Sequence, residues 1–132
     1  MKKEIIFFSE RSNINIVEQL VDELSEELQI SPELYGNILV CVVEAARNAI
    51  IHGNRLDPHK QVYIVVENDG KTISFHFRDE GSGFDFENIP DPTAPENLEK
   101  PFGRGIFLIR HLADATEFYR SGTEIKFSFQ LN

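Results

Sequence analysis

Two alternating apolar segments joined by a tight turn constrain the fold more than any other feature of this chain. Apolar side chains occupy every second position, at Val62, Ile64 and Val66 and again at Ile73, Phe75 and Phe77. Asn68-Asp69-Gly70-Lys71 separates the two segments and is typical of a hairpin turn. The pattern therefore predicts an antiparallel strand pair that buries one face, which helices from elsewhere in the chain must cover.

The patterns on either side of the hairpin predict three helices and three further strands. Ser12 or Asn13 caps the first helix, and Ser31 followed by Pro32 starts the second. The second helix should stop near Gly53, in the left-handed conformation. The predicted elements are an edge strand over 3–9, helices with core positions over 17–28, 34–49 and 106–112, and strands around 115–119 and 124–131.

The segment about 84–102 differs in composition from its surroundings. It contains Pro90, Pro92, Pro95 and Pro101 among acidic and amide residues. Loops this long inside compact domains are usually functional or disordered, so we expect a lid with one helical turn at 94–98. The order β-α-α-β-β-lid-α-β-β predicts an α+β fold, a two-layer α/β sandwich whose mixed, mostly antiparallel sheet carries helices on one face.

Length and charge exclude several classes of protein. The chain has 132 residues, which predicts one domain over 1–132, and its 22 acidic and 13 basic residues leave a net charge of −9. Nucleic acids and anionic membranes both require a basic surface, so neither is an expected partner. The single Cys41 excludes an internal disulfide and a cysteine-based zinc site. We find no apolar stretch of about 18 residues and expect a cytoplasmic protein.

One face of the second helix carries a polar row at helical spacing. Its members are Asn37, Glu44, Asn48 and His52. Ala45 and Ala49 beside the row allow a backbone or a ligand to come close. A carboxamide oxygen is a neutral ligand that suits Mg²⁺, and a carboxylate one turn away can accept a proton from a hydroxyl. The same row, taken alone, is also compatible with a solvated helix surface.

Two glycine-containing motifs follow later in the chain. In Asp79-Glu80-Gly81-Ser82-Gly83, glycines permit close backbone approach behind a carboxylate at a strand end, although a simple turn has the same composition. Gly103-Arg104-Gly105 opens a helix, where backbone N–H groups bind anions, and Lys100 and Arg104 flank it. Helix capping with surface charge is the alternative explanation.

The motifs and their order together resemble the ATP-binding fold shared by gyrase, histidine kinases and the heat-shock and mismatch-repair ATPases, known as the GHKL type. The segment from Val43 to Gly53 looks like its N box, and Asp79 to Gly83 looks like its G1 box. Gly103 to Gly105 looks like the G2 box, and Gly122-Thr123 looks like the short Gly-Thr motif. The resemblance covers nearly the whole chain and implies ATP and Mg²⁺ as cofactors.

Within that superfamily the chain resembles the anti-sigma-factor serine kinases, on Asn48 to Gly53 and on Gly103 to Arg110. The resemblance implies that Glu44 is the general base and that Asn48 is the Mg²⁺ ligand. It also implies that Asp79 accepts from the adenine amino group with Thr123 nearby, and that Lys100 or Arg104 holds the γ-phosphate. The remaining residues implied to bind ATP or shape its pocket and lid are His52, Gly81, Gly83, Gly103 and Gly105.

The same resemblance implies the partners. The family sequesters a sigma factor and phosphorylates a serine on a small antagonist of the STAS type, and a homodimer is expected. Two alternatives remain open at this point. One is a nucleotide-gated interaction module without kinase activity, in which a lid controls a partner surface. The other is a stand-alone catalytic domain of a histidine kinase, acting on an acceptor in another chain.

Overall fold

Five strands form a single sheet within residues 1–84 and 104–131, the part of the chain that the computed structural model describes. The strands are β1 (Lys2–Phe8), β2 (Gln61–Asn68), β3 (Thr72–Arg78), β4 (Ala115–Tyr119) and β5 (Glu124–Gln130). Their order across the sheet is β1-β2-β3-β5-β4, so the first strand is an edge strand as predicted. Three α-helices, α1 (Ile14–Leu28), α2 (Pro32–Arg47) and α3 (Arg104–Leu112), accompany the sheet.

The predicted hairpin is the pair β2 and β3. Asn68 lies opposite Ile73 at the turn end of the ladder, and Gly70 adopts a φ of +91°, which a glycine tolerates. The side chain of Asp69 closes the turn by accepting hydrogen bonds from the backbone N–H groups of Lys71 and Thr72. The six alternating apolar residues that predicted the hairpin are all buried.

All four neighbouring strand pairs in the described residues are antiparallel. The prediction of a mostly antiparallel sheet is thus confirmed. The prediction that the sheet is mixed is wrong for this part of the chain, because no two neighbouring strands there are parallel. The reason lies in the connection after β3. The chain returns through α3 to form β4 at the outer edge, and β5 then fills the place between β3 and β4. Strands β3 and β4 run in the same direction but never pair.

The helices cover one face of the sheet, with α2 between α1 and α3. Helix α1 buries Val17, Leu20, Val21 and Leu24, at the spacing that predicted it. Asn13 is the residue before the helix, as predicted, but its side chain makes no capping hydrogen bond. The Asn13 amide instead donates to the carbonyl of Phe8, 2.7 Å away, and thereby ties the helix to β1.

Helix α2 begins as predicted and ends differently. The Ser31 hydroxyl accepts from the Leu34 N–H at 3.3 Å, with Pro32 in the first turn. After Arg47 the chain continues as a π-helical turn, Asn48–Gly53. The Asn54 N–H closes this turn by donating a hydrogen bond to the Ala49 carbonyl, 2.8 Å away. Gly53 is not left-handed, which corrects that prediction, and the positive φ values fall at Arg55 and Leu56 instead.

One stretch of helix, Pro32–Gly53, is long and apolar enough to cross a membrane by length and composition alone, with a mean hydropathy of 1.4. The prediction that no such stretch exists is corrected on that criterion. Core helices of soluble proteins meet the same criterion. This helix packs Ile38, Val42 and Ala45 into the core between the sheet and the neighbouring helices.

Candidate functional site

A cavity lies where the π-helical end of α2, the end of β3 and the turn between β4 and β5 meet. The residues that line it are Ala45, Asn48, Ala49, His52, Gly53, Phe77, Asp79, Gly83, Phe84, Ile106, Phe118, Gly122, Thr123 and Ile125. Asn48, His52, Asp79, Gly83 and Thr123 are predicted site residues from three separate parts of the sequence. The fold therefore brings these five predicted site residues together around one cavity.

The polar row of α2 borders both the cavity and the start of α3. Asn48 and His52 line the cavity, and Glu44 lies one turn earlier. A Cβ added to Gly105 would lie 2.7 Å from the Glu44 Oε2 and 3.1 Å from the Asn48 Nδ2. The first turn of α3 therefore runs directly over the carboxylate and the carboxamide. Asn37, by contrast, lines a separate groove and does not belong to this site.

The helix widens into a π-helical turn at the point where Asn48 and His52 reach the cavity. A π-helical turn has more residues per turn than an α-helix, and such turns are frequent at functional sites. Here the turn begins at Asn48 and contains His52, so both side chains project from the widened segment. Ala45 and Ala49 line the cavity beside them, which confirms the expectation that these small residues leave space.

Burial and a nearby cation keep His52 neutral. The pKa of His52 is lowered, first by desolvation and second by the positive charge of Arg47. A neutral imidazole at pH 7 offers one N–H donor and one acceptor nitrogen. The ring can therefore donate to a ligand without adding a full charge.

Asp79 is the carboxylate of the cavity, one residue beyond the end of β3. Its backbone N–H donates to the Thr123 carbonyl at 3.0 Å, and its Oδ1 accepts from the Gly81 N–H at 2.8 Å. Burial raises the Asp79 pKa to about 6, against the Gly81 hydrogen bond and the charge of Lys60, which lower it. The carboxylate is thus ionised but poorly hydrated above pH 6, a state that favours a ligand with an N–H donor.

Glycines allow the end of α2 to contact the Asp79 loop. A Cβ on Gly53 would lie 2.4 Å from the Asp79 carboxyl carbon, and a Cβ on Gly81 would lie 2.1 Å from the Gly53 carbonyl oxygen. The first contact would displace the Asp79 carboxylate, and the second cannot be relieved by a side-chain rotation because it involves backbone. The predicted close approach at Gly81 is therefore observed, and its partner is the end of the predicted N box.

The turn between β4 and β5 closes the other side of the cavity. Its residues Arg120 and Ser121 have positive φ, and Gly122 has a φ of +88°. The Ser121 carbonyl accepts from the Phe84 N–H at 2.9 Å, and a Cβ on Gly83 would lie 2.0 Å from that same oxygen. The Thr123 hydroxyl donates to the Arg120 carbonyl at 2.9 Å, so its oxygen can still act as an acceptor.

Sequence reasoning missed the apolar wall of the cavity. Phe84 and Phe118 meet edge to face with ring centroids 5.7 Å apart, and the Arg110 guanidinium lies 5.1 Å from the Phe118 ring. Phe77, Ile106 and Ile125 complete the wall. The alternating pattern identified Phe77 as buried, but burial at a strand end does not by itself distinguish core from cavity. Phe107 of α3 is not among the cavity-lining residues and packs on the ring of His111.

Comparison with known proteins assigns this architecture. The model of the histidine kinase-like ATPase domain matches residues 9–129. The chain belongs to the histidine kinase-like ATPase family. The anti-sigma F factor of Oceanobacillus iheyensis is 32% identical, over 92% of this chain and 79% of that protein. The anti-sigma F factor of Anoxybacillus flavithermus is 34% identical, over 73% of this chain and 68% of that protein. The chain thus groups with the anti-sigma factors of this ATPase family.

A more distant relative and a solved structure agree with this placement. The anti-sigma F factor of Clostridium perfringens is 28% identical, over 99% of this chain and 97% of that protein. The crystal structure of the RsbU and RsbW domains of a Mycobacterium tuberculosis protein superposes with a TM-score of 0.64 at 11% identity. The match covers 98% of this chain but 31% of that longer chain, and at this identity it supports the fold alone.

Within this ATPase family fold, the described residues fit a magnesium ion held chiefly by its nucleotide. Among residues 1–84 and 104–131 there is no cluster of three or more His, Cys, Asp or Glu side chains that would hold a metal by themselves. Asn48 is half-buried, and its buried Nδ2 has no hydrogen-bond partner in that part of the chain. Its carboxamide lines the cavity with the Glu44 carboxylate close by, and a carboxamide oxygen suits a Mg²⁺ ion whose coordination phosphates and water complete.

Three predictions fall partly or wholly outside the described residues. Lys100 and Gly103 lie in the segment 85–103, as do the helical turn at 94–98 and all of the predicted lid except Phe84. Arg104 is the first residue of α3 and is exposed. The described part of the anion-binding motif is therefore Arg104 and Gly105.

Proposed function

We propose that this chain binds ATP in the cavity at the end of α2, with the adenine base against Asp79. The ionised carboxylate accepts from the adenine 6-amino group, and Thr123 beside it offers a second polar contact. The apolar wall, which includes Phe77 and Ile125, covers the base. The observation that carries this proposal is that Asn48, His52, Asp79 and Thr123, distant in sequence, line one cavity in a chain of an ATPase family.

The triphosphate is proposed to extend from this cavity towards the start of α3. N–H groups in the first turn of a helix attract phosphate oxygens, and Gly105 keeps that turn free of a side chain where it passes Asn48. His52 donates to the phosphates as a neutral ring. Gly81, Gly83, Gly103 and Gly105 shape the pocket and its loops, while Lys100 or Arg104 holds the γ-phosphate.

Mg²⁺, when bound with the nucleotide, neutralises charge on the phosphates. Asn48 is the residue proposed to hold it through its carboxamide oxygen. Glu44 is proposed as the general base, since its carboxylate lies beside Asn48 under the first turn of α3. It takes the proton of an incoming serine hydroxyl as the serine oxygen bonds to the γ-phosphorus. The bond between that phosphorus and the β–γ bridging oxygen breaks, and ADP leaves with the bridging oxygen.

The names of the relatives support the proposal of a sigma-factor partner. Proteins 28–34% identical to this chain are named anti-sigma F factors. We infer that this chain, as one ATPase domain, sequesters a sigma factor and phosphorylates a serine of a STAS-type antagonist. Two copies are expected to act together in the cytoplasm. The net charge of −9 supports protein partners over nucleic acid.

A phosphotransfer assay tests the kinase proposal. The purified chain, Mg²⁺ and γ-labelled ATP are mixed with each STAS-type protein encoded in the same genome. Label should appear on a serine, and Glu44→Gln should lower the rate by ~10²-fold or more while ATP still binds. Glu33→Gln is the matched control, because this exposed carboxylate lies in the first turn of the same helix.

The outcomes separate the alternatives. ATP binding without label on any STAS-type protein would favour the nucleotide-gated interaction module. Acid-labile phosphate on a histidine, in place of acid-stable phosphate on serine, would favour the histidine-kinase type of catalytic domain. Equal rates for Glu44→Gln and Glu33→Gln would remove Glu44 from the mechanism.

A further inference from the structure

A buried asparagine outside the predicted motifs connects four parts of the fold. Asn54 follows the π-helical turn at the end of α2 and is 1% exposed. Ser9 and Asn54 are the buried polar side chains of the described core, and they bond to each other. A buried amide is costly unless its donors and acceptor are paired, so its persistence here indicates a specific structural task.

The amide of Asn54 makes three hydrogen bonds. Its Nδ2 donates to the Ser9 hydroxyl at 2.6 Å and to the Gln61 carbonyl at 3.0 Å. Its Oδ1 accepts from the backbone N–H of Glu80 at 2.7 Å. The partners determine the orientation of the amide, because a backbone N–H can only donate and a carbonyl can only accept. The side chain thus joins the end of β1 and the start of β2 to the loop that carries Asp79.

The bond to Glu80 acts on the residue next to Asp79. On the other side, the Asp79 N–H is held by the Thr123 carbonyl at 3.0 Å. The peptide units on both sides of the Asp79 Cα are therefore tied down, one to the β4–β5 turn and one to Asn54. The Glu80 carboxylate adds a further tie, accepting from the Gln61 N–H at 2.5 Å, but this one is exposed.

We propose that Asn54 is a positioning residue for base recognition, because it holds the Asp79 loop against the end of α2. The inference rests on the proposed function, in which Asp79 accepts from the adenine amino group. Gly53 and Gly81 permit the loop to lie there, and the Asn54 amide keeps it there. Without that bond, the ties left on the Glu80 side among the described residues are the exposed bond from the Gln61 N–H and the local bond from the Gly81 N–H to Asp79 itself, so the carboxylate is held less firmly in direction. Misplacement of a binding group by about 1 Å is enough to lose most of a directed hydrogen bond.

The preference of the chain for a nucleotide that carries the 6-amino group measures the positioning role of Asn54 directly. The affinity of ATP is compared with that of purine riboside triphosphate, which lacks that group, at pH 8. The wild-type chain should prefer ATP by ~10- to 100-fold, the range for a hydrogen bond to a charged group. Asn54→Ala should reduce the preference to below ~3-fold. Ser9→Ala is the matched control, because it removes one buried hydrogen bond of the same amide but leaves the Glu80 bond, and it should keep the preference.

A preference retained in Asn54→Ala, or lost equally in Ser9→Ala, would overturn the positioning role. If Asn54→Ala does not fold, hydrogen exchange of the Glu80 amide in the wild-type chain decides. Saturating ATP should slow this exchange by at least ~5-fold more than saturating purine riboside triphosphate does, because coupling between two sites is reciprocal. Equal protection by the two nucleotides would contradict the proposal.

Asp79→Ala separates this inference from the proposed function. If the wild-type chain does not prefer ATP, or if Asp79→Ala keeps the preference, base recognition by Asp79 is wrong and the role of Asn54 falls with it. If Asp79→Ala abolishes the preference and Asn54→Ala keeps it, Asp79 recognises the base without help from Asn54.

Discussion

At the scale of single residues, Asp79 combines a burial cost with a proposed role in binding. Its raised pKa means that the folded chain binds the Asp79 proton more tightly than the unfolded chain does. A buried carboxylate that destabilises the fold at neutral pH is typical of a site selected for binding. The cost is part of what makes the carboxylate a strong acceptor once a ligand displaces the remaining water.

The pH dependence of stability should reveal this carboxyl group. Because the Asp79 pKa rises from 3.8 in the unfolded chain to about 6 in the folded one, the unfolded state loses its proton first as pH increases. The wild-type free energy of unfolding should therefore decrease between pH 4 and 6, by up to about 3 kcal/mol, relative to Asp79→Asn. Urea unfolding of both proteins at several pH values measures this difference. Parallel profiles would show that Asp79 titrates normally.

Gly53 should be intolerant of even one methyl group. A Cβ there would meet the Asp79 carboxyl at 2.4 Å, so Gly53→Ala must move the carboxylate or the loop. We expect ATP affinity to fall by ~10-fold or more. Gly36→Ala in α2 is the matched control, since nothing lies within 4 Å of its added Cβ. That variant should gain ~0.5–1 kcal/mol of stability and keep its ATP affinity. Titration calorimetry would contradict the account if both variants bound ATP like the wild type.

At the scale of secondary-structure elements, α2 connects stability to function. The start of α2 depends on neighbouring residues alone, because Ser31 caps the helix and Pro32 lies in its first turn. Its end is not local, because the π-helical turn depends on what Asn48–Gly53 packs against. The two ends of one helix therefore differ in how well sequence alone describes them.

Removal of the cap should destabilise α2 without affecting the cavity. Ser31→Ala removes the acceptor of the Leu34 N–H and should cost ~1 kcal/mol of stability. Ser31→Asp supplies another acceptor and should restore most of that loss. Because the cap lies at the opposite end of the helix from Asn48, ATP affinity should stay the same in both. Equal stability of Ser31→Ala and wild type in urea unfolding would show that the cap is inert.

At the scale of the whole molecule, the sheet has two unequal faces. The face under the helices carries an aromatic cluster in which the Phe127 ring lies 5.6 Å from Phe75, 5.9 Å from Phe77 and 6.1 Å from Phe129. The other face leaves Ile6 56% and Phe8 50% exposed on β1. Stability should therefore depend on the first face much more than on the second.

Truncation of one phenylalanine on each face tests this difference. Phe127→Ala should cost about 3–5 kcal/mol, because the cavity it leaves is enclosed by three other rings. Phe8→Ala should cost less than about 1 kcal/mol in the monomer, because half of that side chain is already in water. Urea unfolding at low protein concentration gives both values. Similar costs for the two variants would mean that the second face is also covered in solution.

Most of the fold followed from local pattern. The hairpin, the order of the described elements and the core positions were confirmed, because alternation and helical periodicity are properties of neighbouring residues. The capping hydrogen bond of Asn13, the left-handed Gly53 and the mixed sheet were wrong for the described residues. The Asn13 amide bonds to the Phe8 carbonyl five residues earlier, whereas the other two outcomes depend on distant parts of the chain, the Asp79 loop and the return through α3.

The sequence by itself determined which residues are candidates for the chemistry, since Glu44, Asn48 and Asp79 belong to short motifs with recognisable spacing. Only the tertiary structure decided how those motifs meet. Gly105 passes over Glu44, Gly53 lies against Asp79, and Asn54 ties the loop in place. Contacts of this kind join backbone segments far apart in the chain, and their geometry depends on sheet order and loop path. No local pattern of side chains encodes either of these.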